Sequence, residues 1–125
     1  MKTKERRKGA PVVSVNPVPL EIQDLITEIF DSQNAVAEVL GVDRSSVSRW
    51  VREKEIPDPV NEERIAGLRY VSTRLLKIFT KEGARAWLLG INAHLNNQRP
   101  LDLLRNGRLT EVISALEQAE TGSYA

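Results

Sequence analysis

The stretch AVAEVLGVDRSSVSRWVRE, from Ala35 to Glu53, decides the fold. Ser32, just before it, can cap a short helix carrying Val36, Ala37 and Leu40, and that helix stops at Gly41, where a left-handed backbone is sterically cheap. Asp43 can cap a second helix that buries Val47, Trp50 and Val51, and Pro57 and Pro59 close the unit. Two helices joined by a tight turn need a small residue where they cross. Ala37 supplies it, and Gly41, four positions later, supplies the turn. Val36, Leu40 and Val42 on one side, with Val47 and Trp50 on the other, sit at the offsets that lock such a pair together. The pattern is that of a helix-turn-helix.

The second helix of this pair turns Arg44, Ser45, Ser46, Ser48, Arg49 and Arg52 away from its apolar face. These are the candidate DNA-binding residues, because guanidinium groups pair with guanine edges and hydroxyls with phosphates or bases. Arg44 and Arg49 are the expected base readers, and Ser45 and Arg52 the expected phosphate contacts. A single module of this kind covers only about 600–1,000 Å², so operator binding normally requires two copies on two half-sites. A homodimer is therefore expected.

Upstream, Ile22, Leu25, Ile26, Ile29 and Phe30 make the stripe of an amphipathic helix ending near Asp31. Residues 1–17 are polar, basic and broken by Gly9, Pro11 and Pro17, and are expected to form a flexible arm. Downstream, Ile65, Leu68, Val71, Ser72, Leu75, Leu76, Ile78 and Phe79 mark a long helix to about residue 80. Its broad face suits dimerisation or packing on the C-terminal helices. Thr80 starts another helix holding Ala84, Trp87 and Leu88. Pro100 opens a short helix with Leu101, Leu103 and Leu104, ended by Asn106 and Gly107, and Leu109, Val112, Ile113 and Leu116 define the last. No alternating strand pattern occurs. The expected fold is all-α with about seven helices: an arm (1–17), a helix-turn-helix unit (18–58), a long connecting or dimerisation helix (59–80) and a small C-terminal helical domain (81–125).

The net charge of +1 over 125 residues conceals blocks of opposite sign. Residues 1–17 carry +4, residues 18–43 carry −6, residues 44–85 carry +4 and residues 86–125 carry −1. The abrupt onset of positive charge at Arg44 suggests a surface facing a polyanion, with the acids before it turning misdocked DNA away. The chain has no cysteine and one histidine, His94. Thiolate metal sites, disulfides, a cysteine nucleophile and a multi-histidine cage are thereby excluded, and no metal or cofactor is expected. Asp102 and Glu111 straddle Gly107 at a spacing that suits no catalytic pair, and no phosphate-binding glycine loop is present, so an enzyme is not expected. No apolar run approaches the roughly 18 residues of a membrane span, nor does the basic start lead into a signal-peptide core. A soluble cytoplasmic protein with no membrane partner is expected.

The C-terminal third carries a resemblance. The segment ARAWLLGINAHLNNQRPLDLLRNGRLTEVISALEQAETG resembles the toxin-binding domain of Xre/MbcA/ParS-type antitoxins through Trp87 to Leu89, Asn92, Asn97, Pro100 to Leu104, Gly107, Val112 and Leu116. The likeness extends over the upstream helix-turn-helix. It implies a type II antitoxin that silences a RES-domain, NAD-consuming toxin, alone or in a higher hetero-oligomer, and represses its own operon. Asp102 and Arg105 are the expected exposed positions of the Pro-Leu-Asp-Leu-Leu helix, and hence candidate toxin contacts. Thr121, Gly122, Ser123, Tyr124 and Ala125 are the others, because one aromatic on a tail suits insertion into a concave pocket such as the toxin's NAD site. The competing reading is a stand-alone dimeric helix-turn-helix repressor with no toxin.

Overall fold

The computed structural model describes residues 16–122. Seven α-helices lie among them: α1 (Val18–Leu25), α2 (Gln33–Leu40), α3 (Arg44–Val51), α4 (Pro59–Leu75), α5 (Lys81–Leu89), α6 (Pro100–Arg105) and α7 (Leu109–Glu120). One isolated bridge, between Asn92 and Gln98, is the only β pairing among the described residues. The all-α expectation is borne out. The basic arm, except Asn16 and Pro17, lies outside the described residues.

Asn16 opens α1 by accepting the Val18 N–H at 3.1 Å. Val18, Ile22 and Leu25 are buried along it. The helix does not run evenly to Asp31. It widens into a π-helical turn over Ile26–Phe30, closed where Asp31, at φ +74°, donates its N–H to the Ile26 carbonyl at 2.8 Å. Aspartate tolerates that left-handed conformation better than most side chains, and contacts from elsewhere can add to its support. Here Lys81 Nζ reaches Asp31 Oδ1 at 2.6 Å and Arg85 Nη1 reaches Oδ2 at 3.1 Å, both from α5.

The α2–α3 pair follows its sequence signals closely. Ser32 Oγ accepts the Ala35 N–H at 3.0 Å, Gly41 adopts φ +75°, and Ala37, Val36, Leu40, Val47 and Trp50 are buried. Two details differ. Asp43 occupies the cap position without using its side chain, the Ser46 and Val47 N–H groups binding its backbone carbonyl instead, and Val51 is only partly buried.

Asp58 Oδ1 caps α4 through the Asn61 N–H at 2.8 Å, and Pro59 fills the first turn, where a missing N–H does no harm. The helix stops at Leu75, short of the expected residue 80. Its hydrogen bonds tighten there, from Lys77 to the Arg74 carbonyl and from Ile78 to that of Leu75, while Thr80 turns extended so that Oγ1 caps α5 through the Gly83 N–H at 3.1 Å. Ile78 consequently reaches the surface. The apolar face of α4, Ile65, Leu68, Val71 and Leu75, is covered by α1, α2, α6 and α7. One hydrophobic core runs from Val18 to Leu116. The long helix is thus the central strut of that core, and a dimer built on its apolar face would have to expose these side chains.

The charge blocks are also rearranged by folding. Arg69 on α4 pairs with Asp24 at 3.0 Å and Glu28 at 3.3 Å, and Lys81 and Arg85 pair with Asp31. Much of the acidic block therefore neutralises the basic block inside the molecule rather than facing a polyanion. Each exposed pair contributes little alone, typically about 0–1 kcal/mol, and they tie α1 and the π turn to α4 and the end of the π turn to α5.

Gly67 gives a direct test of packing on α4. A Cβ built there would lie 3.6 Å from Leu109 Cδ1 and 3.9 Å from Leu104 Cδ2, ordinary contact distances, at helical φ. Gly67→Ala is expected to stabilise the chain by about 0.5–1 kcal/mol, read as a rise in the urea midpoint, because a mid-helix glycine costs that much backbone entropy. A lower midpoint would show that the α4–α6–α7 contact is tighter than these distances allow.

Candidate functional site

Two surfaces gather the residues singled out by the sequence. The first is the outer face of α3. Arg44, Ser45 and Arg52 are exposed there, and Ser46, Ser48 and Arg49 are half-buried. Arg44 shares a shallow hollow with Ser32, Gln33 and Asn34 at the start of α2, of which the sequence pattern singled out only Ser32, and only as a cap. Lys54, also missed, is exposed in the turn after α3. Arg44, Arg52 and Lys54 make no ion pair with any described residue, so their charge is available to a ligand.

Arg49 is different. Its Nε donates to Glu55 Oε1 at 2.8 Å and its Nη2 to Ser46 Oγ at 3.2 Å. The other carboxylate oxygen of Glu55 accepts the Trp50 indole N–H at 3.3 Å. The Arg49 hydrogen bond, and then that of Trp50, holds the Glu55 carboxyl below its ordinary range.

The second surface is the edge of α6. Asp102 is gripped by Arg99 through two bonds, to Nε at 2.9 Å and Nη2 at 2.8 Å, which lowers the carboxyl's pKa. Arg105 does not simply face solvent. Its Nε donates to the Val39 carbonyl at 2.7 Å and its Nη2 to that of Glu38, both in the last turn of α2. A guanidinium there meets the last-turn carbonyls of the helix, of which that of Glu38 also accepts the Gly41 N–H, and complements the negative end of its dipole. Arg85 does the same for the preceding π turn, donating to the Ile29 carbonyl at 2.6 Å. Between these two arginines lies a groove of about 550 Å³, floored by Phe30, Ala35, Val39 and Leu101 and rimmed by the exposed Leu89.

Thr121 and Gly122 are not part of this surface. Leu109, at the start of α7, packs beside Gly67, whereas Glu120, at its end, pairs with Arg74 near the far end of α4. The twelve residues of α7 span about 18 Å, with Asp102 and Arg105 just before its start and Thr121 and Gly122 just after its end. Ser123, Tyr124 and Ala125 lie outside the described residues. Among the described residues no three His, Asp or Glu side chains are grouped to hold a metal ion, and no helix is long and apolar enough to cross a membrane.

The fold recurs in a solved structure. A chain in the crystal structure of the Mycobacterium tuberculosis MbcT–MbcA toxin–antitoxin complex superposes with a TM-score of 0.71, at 24% identity, over 86% of this chain and 97% of that one. The architecture is thus one used by an all-helical component of a toxin–antitoxin pair. In sequence, the mycobacterial cidal antitoxin MbcA of M. tuberculosis and M. bovis is 23% identical over 112 residues, 90% of this chain and 99% of that protein. A probable mycobacterial cidal antitoxin of M. tuberculosis is 36% identical over 104 residues, 83% of this chain and 89% of that protein. The chain belongs to the mycobacterial cidal antitoxin family. No protein-family model matches it.

Within this fold, Arg105 is the clasp between α6 and α2. Arg105→Ala should lower stability by about 1–2 kcal/mol in urea denaturation, discounted for the partial exposure of the side chain. It should also speed amide exchange at Gly41 and Val42, whose N–H groups bind the Glu38 and Ala37 carbonyls of the same turn. Unchanged exchange there would show that Arg105 does not hold α2.

Proposed function

We propose that the chain is a type II antitoxin that binds and silences a partner toxin and represses its own operon by binding operator DNA. The observation that carries this reading is the 36% identity with a probable mycobacterial cidal antitoxin over most of both chains. The fold shared with a chain of the MbcT–MbcA complex supports a direct protein partner. The resemblance in Trp87 to Leu89, Pro100 to Leu104 and Gly107 gives that partner as a RES-domain toxin that consumes NAD.

The toxin contacts are assigned to the α6 edge around Asp102 and Arg105 and to the tail Thr121 to Ala125. Because Asp102 and Arg105 lie just before α7 and Thr121 and Gly122 just after it, the toxin is held at two places. Tyr124 enters the NAD pocket and blocks it sterically, so the chemistry belongs to the toxin and the antitoxin needs no cofactor. Both proteins work in the cytoplasm. On the other surface, α3 lies in the major groove of the operator as the recognition helix of a helix-turn-helix, with Ser45, Ser46, Ser48 and Arg52 on flanking phosphates. A homodimer, or a larger assembly with toxin, presents two such helices to two half-sites.

Co-expression with a RES-domain toxin tests the first half. The full chain should restore growth and co-purify with the toxin, whereas deletion of Gly122 to Ala125 should relieve inhibition of NAD loss without harming DNA binding. Full protection by the truncated chain would reject pocket occlusion. Failure to capture any toxin, with operator binding intact, would favour the stand-alone repressor. For the second half, Arg44→Ala and Arg49→Ala should abolish the gel shift of promoter DNA with helicity unchanged, and wild-type binding should weaken steeply as salt rises.

A further inference from the structure

The carboxylate of Glu55 sits where no carboxylate helps a DNA-binding face by charge alone. It lies just beyond α3, on a surface where Arg44, Arg52 and Lys54 make no ion pair with any described residue and the exposed Glu53 is the other acid of the turn. Its position is fixed by the backbone. Glu53 adopts φ +58°, the Lys54 N–H donates to the Arg49 carbonyl at 2.8 Å, and the chain folds back beside the last turn of α3. One oxygen is then anchored on the N–H of Trp50, a core side chain 3% exposed, and the other on Arg49 Nε.

From this geometry we infer that Glu55 is a positioning residue that makes Arg49 a reader of base edges rather than phosphates, an inference that rests on the operator-binding reading. Free arginine side chains have many rotamers, and ordering one costs binding free energy. Arg49 is ordered before DNA arrives. Nε is engaged by Glu55 and one Nη2 hydrogen by Ser46 Oγ, leaving three N–H donors with no partner among the described residues, among them the Nη1 and Nη2 pair that fits O6 and N7 of guanine. A phosphate approaching the same guanidinium would meet the Glu55 carboxylate on its other edge, like charge against like, whereas the guanine edge is neutral. Arg44 and Arg52 carry no such restraint and suit phosphate. Arg49 is thereby the specificity-determining arginine of the pair expected from the sequence.

The test begins by selecting from a randomised duplex pool with the full-length wild-type chain. Fluorescence anisotropy is then measured on the enriched duplex and on a scrambled one. Glu55→Gln, which cannot accept from both Arg49 and Trp50, is expected to lose about tenfold on the enriched duplex. Its affinity for the scrambled duplex should hold or rise, because one negative charge has left the phosphate-facing surface. Arg49→Lys leaves the Trp50 contact of Glu55 available and should show the same selective loss. That second variant keeps the inference testable should Glu55→Gln fold poorly. Equal losses on both duplexes would mean a purely structural role, and a gain on the enriched duplex would mean that Glu55 sequesters Arg49; either overturns the inference. A wild type that enriches a sequence bound equally well by both variants overturns it alone. One that enriches no sequence overturns the operator reading with it.

Discussion

The unmet carbonyls at the ends of the first helices are the constraint on which the rest of this molecule depends. An α-helix leaves its last four carbonyls without partners, and burying such an end without a donor is costly. In this chain the ends of the π turn and of α2 are met from far along the sequence, by Arg85 on the Ile29 carbonyl and by Arg105 on those of Val39 and Glu38. Each arginine also carries its helix with it. Donating to α2 places α6 against the α2–α3 turn, with the Arg105 guanidinium 3.6 Å from where a Gly41 Cβ would stand. The docking of α5 and α6 on the N-terminal helices, and the groove between them, follow from these two bonds together with the apolar core.

What the sequence revealed and what it hid divide along the same line. Signals that act within a few residues were legible: the Ser32 cap, the left-handed Gly41, the Thr80 cap, Pro100 opening α6 and the stripes of α1 and α7. Signals that depend on a distant partner were not. Arg105 reads as a solvent-facing position of a short helix because helical periodicity shows which face is apolar, not whose carbonyl lies across from the other face. The π turn is invisible for a like reason, since its closing residue, Asp31, is supported in its left-handed conformation by Lys81 and Arg85 from α5. The end of α4 is misplaced by five residues because Leu76, Ile78 and Phe79 continue an apolar pattern that the Thr80 cap cuts short.

Charge shows the same division at larger scale. Summed along the chain, the acids before Asp43 and the bases after Arg44 look like a repelling wall beside an attracting surface. In the fold they are each other's partners, Asp24 and Glu28 with Arg69, Asp31 with Lys81 and Arg85. The pairing takes Arg69, Lys81 and Arg85, three of the ten bases of that block, out of competition for a polyanion, and leaves Arg44, Arg52 and Lys54 beside α3 without an ion pair to any described residue. The residual positive surface is thus smaller than the sequence suggested, and part of it lies where the α2–α3 pair presents its outer face.

The two candidate surfaces are not mechanically independent. Arg105 stands on α6 three residues from Asp102, whose carboxylate it approaches at 3.9 Å, yet its hydrogen bonds end on α2, directly before the turn that orients α3. A partner that drew the Arg105 guanidinium into a contact of its own would have to release the Val39 and Glu38 carbonyls. Such a loss falls on the helix terminus that the turn depends on, because the Gly41 N–H binds the same Glu38 carbonyl. The buried residues of α2, α3, α4 and α6 belong to one hydrophobic cluster, so the α6 edge and the α3 face border the same packed core.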